Sequence, residues 1–340
     1  MTHKPPYTIT EKAADYLAKV VETITRLEFS TTFPRNIPLQ RHNRARAIHS
    51  SLAIEGNTLT LGQVKAVMGG KIVAGSQADI QETKNAYEAY DRIMTLNPYS
   101  LDDFLQAHRW MMRELMAEAG VFRSGDVGVF HGDKAVHIGA RPQFVPDLVQ
   151  ELLDWAKKSD LHPVLKSAIV HFEIEIIHPF ADGNGRMGRL WQTLILAKWN
   201  PLFSWIPMET VLYDNRPEYY QAIRAAYSAN DAGIFIEFTL WALLQTITEQ
   251  TEHQVEHQVE HQVELTDIQF SILKALESQP LSRRELFSAI GIHGDSRSFA
   301  RHVAPLLQAG LVAFTIPDRP NSRLQKYCLT AAGRAQIASL

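Results

Sequence analysis

The stretch HPFADGNGRMGR at positions 178–189 gathers side chains whose chemistry suits a ligand with several phosphates. A glycine-rich turn that leads into a helix presents backbone N–H groups to an anion, and glycine permits the positive φ and close approach that such a turn needs. Arg186 and Arg189 are three positions apart, so they share a helix face, where two guanidinium groups would hold a polyphosphate rather than a single carboxylate. The residues of the turn are Gly183, Asn184 and Gly185.

The same stretch has residues that suit metal binding and proton transfer. Asp182 directly precedes the turn, and a carboxylate beside bound phosphates is the usual anchor of Mg²⁺. His178 lies four residues earlier, and histidine suits general-base work on an incoming hydroxyl. Phe180 alternates with these polar residues and is predicted to point into the core. Each residue alone is usually structural, but together they predict a site for a nucleotide polyphosphate and a hydroxyl acceptor.

The stretch also matches the Fic family signature, HPFx(D/E)GNGRxxR, at every specified position. The segments RAIHSSLAIEGNTLTLGQV and QETKNAYEAYDRI resemble the N-terminal helical region of that family, and GVFRSGDVGV resembles the start of its flap hairpin. The resemblance covers most of residues 1–250 and implies a mostly α fold, a helical Fic fold with a short β-hairpin flap. It implies transfer of AMP from ATP to a serine, threonine or tyrosine hydroxyl of a protein, with release of pyrophosphate.

The resemblance also assigns roles within the motif. His178 would deprotonate the target hydroxyl, Asp182 would bind the Mg²⁺ that bridges the phosphates, and Phe180 would anchor the motif. Arg186 and Arg189 would hold the β- and γ-phosphates, and the turn residues would cradle them. The motif leaves the nucleotide base open. Transfer of UMP, phosphocholine or a terminal phosphate is an alternative, although relatives that transfer phosphate depart from the Gly-Asn-Gly-Arg sequence found here.

A second stretch, SSLAIEGN at positions 50–57, lies far upstream. Ser51 and Glu55 are one helical turn apart and share a face, and Gly56 with Asn57 would end the helix. The stretch resembles the Fic inhibitory signature (S/T)xxxE(G/N), which implies that Glu55 pairs with Arg189 and leaves ATP badly oriented. We therefore expect an autoinhibited resting state. In some relatives the same glutamate also supports removal of AMP.

Helices are predicted to position both stretches. EKAADYLAKVVETITRLEF after Thr10, SLDDFLQAHRWMMRELM from Ser100, VPDLVQELLDWAKKS and PVLKSAIVHFEIEII all have apolar residues at helical spacing, and the last leads directly into the motif. DVGVFHGDKAVHIG instead alternates around a Gly-Asp turn, as a β-hairpin does. By the resemblance it is the flap, which would bind the protein target as an added strand. Which of Val136 and His137 faces the target stays open.

The segment YDNRPEYY at positions 213–220 resembles the part of relatives that lines the adenine. An aromatic ring can stack on a purine, so Tyr219 and Tyr220 are candidate contacts for the base. Both rings could equally belong to the core.

The C-terminal part differs in composition. In the repeat EHQVEHQVEHQVE, a histidine recurs every four residues, at His253, His257 and His261. Such a pair can bind a metal, but no carboxylate or cysteine arrangement completes a site, so a helical spacer is favoured. Residues 265–340 then read as three helices and two β runs, the order of a winged helix-turn-helix domain. Its third helix carries Arg297 and Arg301 and would enter a major groove, or the domain would dock a protein or dimerise. A DNA-binding regulator in which the Fic site only senses a nucleotide is therefore a further alternative for the whole chain.

The predicted elements and the distribution of charge divide the chain into four segments. We expect an N-terminal helical region at 1–95, a catalytic core at 96–248, a repeat linker at 249–264 and a winged-helix domain at 265–340. The formal net charge is −3, but the last domain carries +4. Cys328 is the only cysteine, which excludes an internal disulfide and suits a reducing cytosol. The N-terminus lacks the apolar run of a signal peptide and no spanning helix is predicted, so we expect a cytoplasmic protein, and a homodimer is a further expectation.

Overall fold

The computed structural model describes residues 4–29, 36–131, 134–260 and 265–316, and after them residues 322, 324–330, 333, 334 and 337. The chain divides into two compact units, Met1–Glu252 and His253–Leu340. No helix in these ranges is long and apolar enough to cross a membrane.

Apart from one hairpin, the regular structure in the described part of the first unit is helical. Strands β1 (Gly128–His131) and β2 (Lys134–Ile138) pair antiparallel, as predicted. The helices are α1 (Glu11–Phe29), α2 (Ile37–Ile54), α3 (Leu61–Met68), α4 (Gln77–Asp91), α5 (Leu101–Met112), α6 (Val145–Lys158), α7 (Pro163–Ile177), α8 (Asn184–Trp199), α9 (Met208–Asp214) and α10 (Arg216–Ala229). Helix α11 (Gly233–Glu260) begins in this unit and continues past its last residue, Glu252.

Local sequence explains several helix ends. Thr10 accepts the Ala13 N–H at 3.1 Å and Ser100 accepts the Asp103 N–H at 3.2 Å, so each side chain caps the helix predicted to begin at that point. Helix α5 ends four residues earlier than predicted, because Glu114 takes a φ of +62° that no helix continues through.

Helices α7 and α8 form the centre of the first unit. Nearly every residue of both is buried, as expected for helices that are apolar on most sides. One apolar cluster joins them to α1, α9, α10 and α11, and a second joins them to α2, α3, α4, α5 and α6. The loop between α7 and α8 holds the motif, so the motif is fixed at both ends by the most buried helices.

The second unit has the predicted order of three helices followed by a β pair. Helix α12 (Asp267–Ala275) precedes strand β3 (Leu281–Ser282) and helix α13 (Arg283–Ala289). The third helix comprises α14 (Ser296–Ser298), a π-helical turn and α15 (Ala304–Gln308). Strands β4 (Val312–Phe314) and β5 (Lys326–Leu329) complete an antiparallel sheet in the order β3-β5-β4.

The π-helical turn has a local cause. Pro305 lacks the N–H that would bond to the carbonyl four residues before it, so the regular ladder is interrupted at this point. The third helix was predicted as one segment, and its three parts do follow one another without a gap from Ser296 to Gln308, with the π-helical turn inside it. The side chains of His253, His257 and His261 lie outside the described part of the chain, so the spacer and metal interpretations both remain predictions.

Candidate active site

His178 ends helix α7 and begins the motif loop. Its backbone is left-handed, with φ +52°, while its N–H still bonds to the Ile174 carbonyl at 3.0 Å. A non-glycine residue rarely holds this conformation, and such strain is typical of functional sites. The ring Nδ1 lies 3.4 Å from the carbonyl oxygen of Glu175. Since a carbonyl only accepts, Nδ1 carries the proton in this contact and Nε2 has the lone pair of a general base.

The side chain of Asn184 holds the loop closed. Its Oδ1 accepts the Phe180 N–H at 2.9 Å and its Nδ2 donates to the Phe180 carbonyl at 2.9 Å. The side chain is buried, so only the backbone of Asn184 is left to contact an anion. Gly183 has φ +86°, and a Cβ there would lie 2.9 Å from Met112 Sδ. The predicted anion turn therefore forms at the start of α8, where the first N–H groups have no partner within the helix.

His108, for which the sequence predicted no role, packs against the motif loop. Its ring stacks on the fully buried Phe180, with centroids 3.6 Å apart. His108 Nδ1 accepts the Gly120 N–H at 2.8 Å, so Nε2 carries the proton and donates to the Asp182 carbonyl at 3.0 Å. Burial lowers the pKa of His108 to about 4, which keeps the ring neutral at neutral pH. A lone histidine on the apolar face of α5 gave no sequence signal for this role.

Arg189 is fully buried and is held by the upstream stretch. Its Nε donates to Ser51 Oγ at 3.0 Å, and its Nη2 donates to the Ser51 carbonyl at 3.0 Å and to Glu55 Oε1 at 2.7 Å. Burial opposes the charge of Arg189, but the carboxylates of Glu55 and Glu175 hold its pKa above the usual value. The structure thus brings together the residues that the two sequence stretches were predicted to pair.

The carboxylate of Glu55 also covers the anion turn. A Cβ on Gly185 would collide with Glu55 Oε1 and lie 3.0 Å from Arg189 Nη1. Helix α2 ends at Glu55, and Gly56 turns the chain away with φ +97°. Glu55 therefore occupies the space next to the turn at which a phosphate would bind.

Arg186 lies between two carboxylates. Its Nη1 donates to Glu82 of helix α4, and its Nη2 donates to Asp182 Oδ1 at 2.8 Å. Asp182 Oδ1 also accepts the Gly183 N–H at 2.6 Å. Glu82 was not predicted, because it is 104 positions from Arg186 and belongs to no local motif.

Arg123 joins the hairpin to the motif loop. Its Nε donates to the His178 carbonyl at 2.6 Å, its Nη1 to the Gly125 carbonyl at 2.8 Å and its Nη2 to the Ala140 carbonyl. One buried guanidinium thus fixes both ends of the flap relative to His178. Arg123 lies in the segment GVFRSGDVGV, but the sequence predicted no role for it. The side chains of Val136 and His137 are outside the described part, so their orientation remains open.

The two tyrosines of YDNRPEYY differ in position. Tyr219 is 1% exposed and bonds to His171 Nε2 at 3.0 Å, so it lies in the core and its ring cannot stack on a base in this conformation. This corrects its assignment as a nucleotide contact and favours the core alternative. Tyr220 is 37% exposed, and its hydroxyl lies 3.5 Å from the Ile54 carbonyl, next to Glu55. Tyr220 alone stays a candidate contact for adenine.

Comparison with known structures decides the family. A crystal structure of a Fic family protein from Desulfovibrio desulfuricans G20 is 40% identical in sequence, and the match covers 97% of this chain and 99% of that one with a TM-score of 0.72. The chain belongs to the Fic family. The Fic/DOC family profile matches residues 98–196 of this Fic protein, and a profile described as "Filamentation induced by cAMP protein Fic-like, C-terminal domain" matches residues 268–330.

Curated relatives are more distant. The protein adenylyltransferase fic-1 of Caenorhabditis elegans is 27% identical over 217 residues, which are 60% of this chain and 40% of the relative. The protein adenylyltransferase Fic of Nematostella vectensis is 28% identical over 211 residues, 59% of this chain and 47% of the relative. A structure of C. elegans Fic-1 matches with a TM-score of 0.55, 26% identity and 70% coverage of each chain. The chain therefore spans less than half of the length of these two curated relatives.

Proposed function

We propose that this Fic protein is a Mg²⁺-dependent protein adenylyltransferase that transfers AMP from ATP to a serine, threonine or tyrosine hydroxyl and is held inactive by Glu55. The observation that carries the proposal is the contact of Glu55 with Arg189 above the anion turn, in the same loop as His178. The names of the curated relatives support the same activity.

The contact of His178 Nδ1 with the Glu175 carbonyl supports a role for His178 in proton transfer. His178 Nε2 takes the proton of the target hydroxyl as the hydroxyl oxygen bonds to the α-phosphorus of ATP. The bond from that phosphorus to the bridging oxygen breaks, and pyrophosphate leaves. The target segment would pair with the flap, whose two ends Arg123 fixes beside His178.

Asp182 fits the role of Mg²⁺ ligand. Its side chain is 64% exposed, while its backbone carbonyl is fixed by His108. Magnesium beside a nucleotide usually takes one or two carboxylates, with phosphate oxygens and water as the other ligands. Within the described ranges no group of three or more His, Cys, Asp or Glu residues could hold a metal by itself. The ion would neutralise phosphate charge, and Asp182 would hold it at the turn.

Glu55 would inhibit by occupying the site of a phosphate. Its carboxylate takes the Nη2 donor of Arg189 that the γ-phosphate needs, and it adds a negative charge beside the turn. ATP could still bind with its α-phosphorus badly aligned for in-line attack. A misplacement of about 1 Å costs on the order of a hundredfold in rate.

Labelled ATP tests this proposal. With α-phosphate label, the Glu55→Gly variant should modify itself or a target roughly a hundredfold faster than the native chain. Glu114→Gly is the matched control, since Glu114 is an exposed glutamate just past the end of α5. His178→Ala in the Glu55→Gly background should abolish labelling. Equal labelling of the native chain and Glu55→Gly would contradict autoinhibition, and transfer of γ-label would contradict AMP transfer. Label from UTP, GTP or CTP in place of ATP would change the assigned base.

A second activity is favoured by the charge of the C-terminal unit. Arg297 and Arg301 are exposed on its third helix, and residues 265–340 have a net charge of +4. We propose that this helix contacts duplex DNA, with docking of a protein as the alternative. Retardation of duplex DNA by the full chain should weaken steeply with salt and fall further in the Arg297→Ala, Arg301→Ala variant. No retardation at low salt would favour the protein-docking alternative.

A further inference from the structure

The contacts of Arg186 have an inner and an outer side. On the inner side, Nη1 donates to Oε1 of Glu82, whose side chain is 12% exposed. On the outer side, Nη2 donates to Asp182, whose side chain is 64% exposed. The Arg186 side chain itself is 6% exposed. Glu82 is therefore a partly buried carboxylate, much less exposed than Asp182, placed behind an arginine whose other end pairs with the exposed Asp182.

Glu82 has a second partner, from the turn that follows helix α2. Asn57 Nδ2 donates to Glu82 Oε2 at 2.7 Å and to the Asp79 carbonyl at 3.1 Å. Asn57 Oδ1 accepts the Leu59 N–H at 3.0 Å, which fixes the orientation of the amide. Both oxygens of Glu82 thus accept hydrogen bonds, one from Arg186 and one from Asn57.

We propose that Glu82 is the positioning residue of Arg186, holding its guanidinium by the inner edge so that Nη2 is directed at the β- and γ-phosphates of ATP. The proposal rests on the proposed function. Asp182 can give up Nη2 when a phosphate and a cation arrive, because its side chain is exposed. Glu82 keeps Nη1, because a buried arginine without a carboxylate would have an unbalanced charge.

The end of α2 and the turn that follows it are therefore linked to both Arg189 and Arg186. Glu55 contacts Arg189 directly, and Asn57, two residues later, contacts Arg186 through Glu82. A movement of the end of α2 that frees Arg189 therefore also changes the support of Arg186.

A glutamine at position 82 tests the idea with little change in shape. The two oxygens of Glu82 accept from two donors, Arg186 and Asn57. In a glutamine the NH₂ group replaces one of these oxygens, so it would face one of the donors and lose that hydrogen bond. We would measure the binding of Mg-ATP and of AMP to Glu55→Ala, which removes the inhibitory carboxylate without a second glycine beside Gly56, and to Glu55→Ala with Glu82→Gln. AMP lacks the β- and γ-phosphates, so only ATP should lose affinity, by about tenfold, as expected for one weakened charge-assisted hydrogen bond.

The controls separate positioning from general damage. Glu88→Gln removes another α4 carboxylate that pairs with an arginine, Arg113 at 2.9 Å, and should leave the ratio of AMP to ATP dissociation constants unchanged. Asn57→Ala keeps the Glu82 charge and should give a smaller loss in the same direction, which also provides a reading if Glu82→Gln does not fold.

Each outcome has a clear meaning. An unchanged ratio, or equal losses for ATP and AMP, in a folded Glu82→Gln variant would overturn the positioning role while leaving the proposed function intact. If Glu55→Ala binds no ATP, the proposed function itself fails, and this inference with it. A selective loss of ATP affinity, with lower transfer at low ATP and near-normal transfer at saturation, would support it.

Discussion

Arg189 and Arg186 lie one helical turn apart on α8, yet their surroundings differ. Arg189 is 1% exposed and is held by Ser51 and Glu55 of the α2 end, and Glu55 is 30% exposed. Arg186 is held from the inside by Glu82 and from the outside by Asp182. At Arg189 the carboxylate of Glu55 is on the side of the anion turn, where under the proposed function it would compete with a phosphate. At Arg186 the less exposed carboxylate, Glu82, is on the other side and would leave the phosphate side open. Under the proposed function, a salt bridge would therefore inhibit or support phosphate binding according to the side from which the carboxylate reaches the arginine.

The largest loss of stability is expected when the contact of Glu55 with Arg189 is removed. Glu55→Gln removes the carboxylate that pairs directly with the buried Arg189, so that only the more distant Glu175 still balances its charge, and we expect the free energy of unfolding of the first unit to fall by about 3 kcal/mol. Urea unfolding followed by tryptophan fluorescence measures this unit alone, because all six tryptophans lie within residues 1–252. Mg-ATP should restore much of the loss, since its γ-phosphate replaces the carboxylate. A loss below 1 kcal/mol, or no rescue by ATP, would contradict the buried-pair interpretation.

A smaller effect is expected at Ser51, which bonds to Arg189 from the same helix. Ser51→Ala removes the acceptor of Nε but leaves the Ser51 carbonyl in place, so we expect a loss of about 1.5 kcal/mol. Ser50→Ala is the neighbouring control: its hydroxyl makes only a 3.4 Å contact with Thr210. The same urea titration compares the two. Equal losses would mean that the hydroxyl of Ser51 does not hold Arg189.

The smallest effect on stability is expected on the open side of Arg186. Asp182→Asn removes an exposed ion-pair partner while Glu82 remains, and its amide oxygen can still accept the Gly183 N–H, so we expect a loss of about 0.5 kcal/mol or less. The Mg²⁺ dependence of ATP binding should largely disappear in this variant. A loss above about 2 kcal/mol would make Asp182 a structural anchor like Glu82 and remove the contrast between the two sides.

Local rules predicted much of the fold. Helices α1 and α7 begin and end where the apolar spacing and capping residues place them, and the hairpin and the order of the C-terminal elements are also as predicted. The differences are at two helices. Helix α5 stops at Met112, earlier than predicted, because of the backbone of Glu114, and the third C-terminal helix contains a π-helical turn before Pro305 that was not predicted. Neither the positive φ of a glutamate nor the extent of a proline's disturbance can be read from spacing alone.

The sequence predicted those parts of the site whose residues are close together in the chain. The anion turn and the core position of Phe180 follow from the motif itself. The supports of the motif, which are the buried His108 and Arg123 and the partly buried Glu82, were missed, and Tyr219 was assigned to the nucleotide although it belongs to the core. A residue that hydrogen-bonds a main-chain carbonyl from another helix has no characteristic pattern in one sequence.

The sequence by itself determined which side chains share a face: Arg186 with Arg189 on α8, and Ser51 with Glu55 on α2. Such faces depend only on the helical repeat. The tertiary structure decided which faces meet. Glu55 and Arg189 are 134 positions apart in the sequence, and Glu82 and Arg186 are 104 positions apart. Both pairs come into contact because α2 and α4 pack their apolar sides on α8 and its neighbours. That packing depends on the whole core and not on any local pattern. It is therefore the core that places Glu55 beside the anion turn, where under the proposed function it would compete with a phosphate, and Glu82 on the other side of Arg186, where it would support phosphate binding.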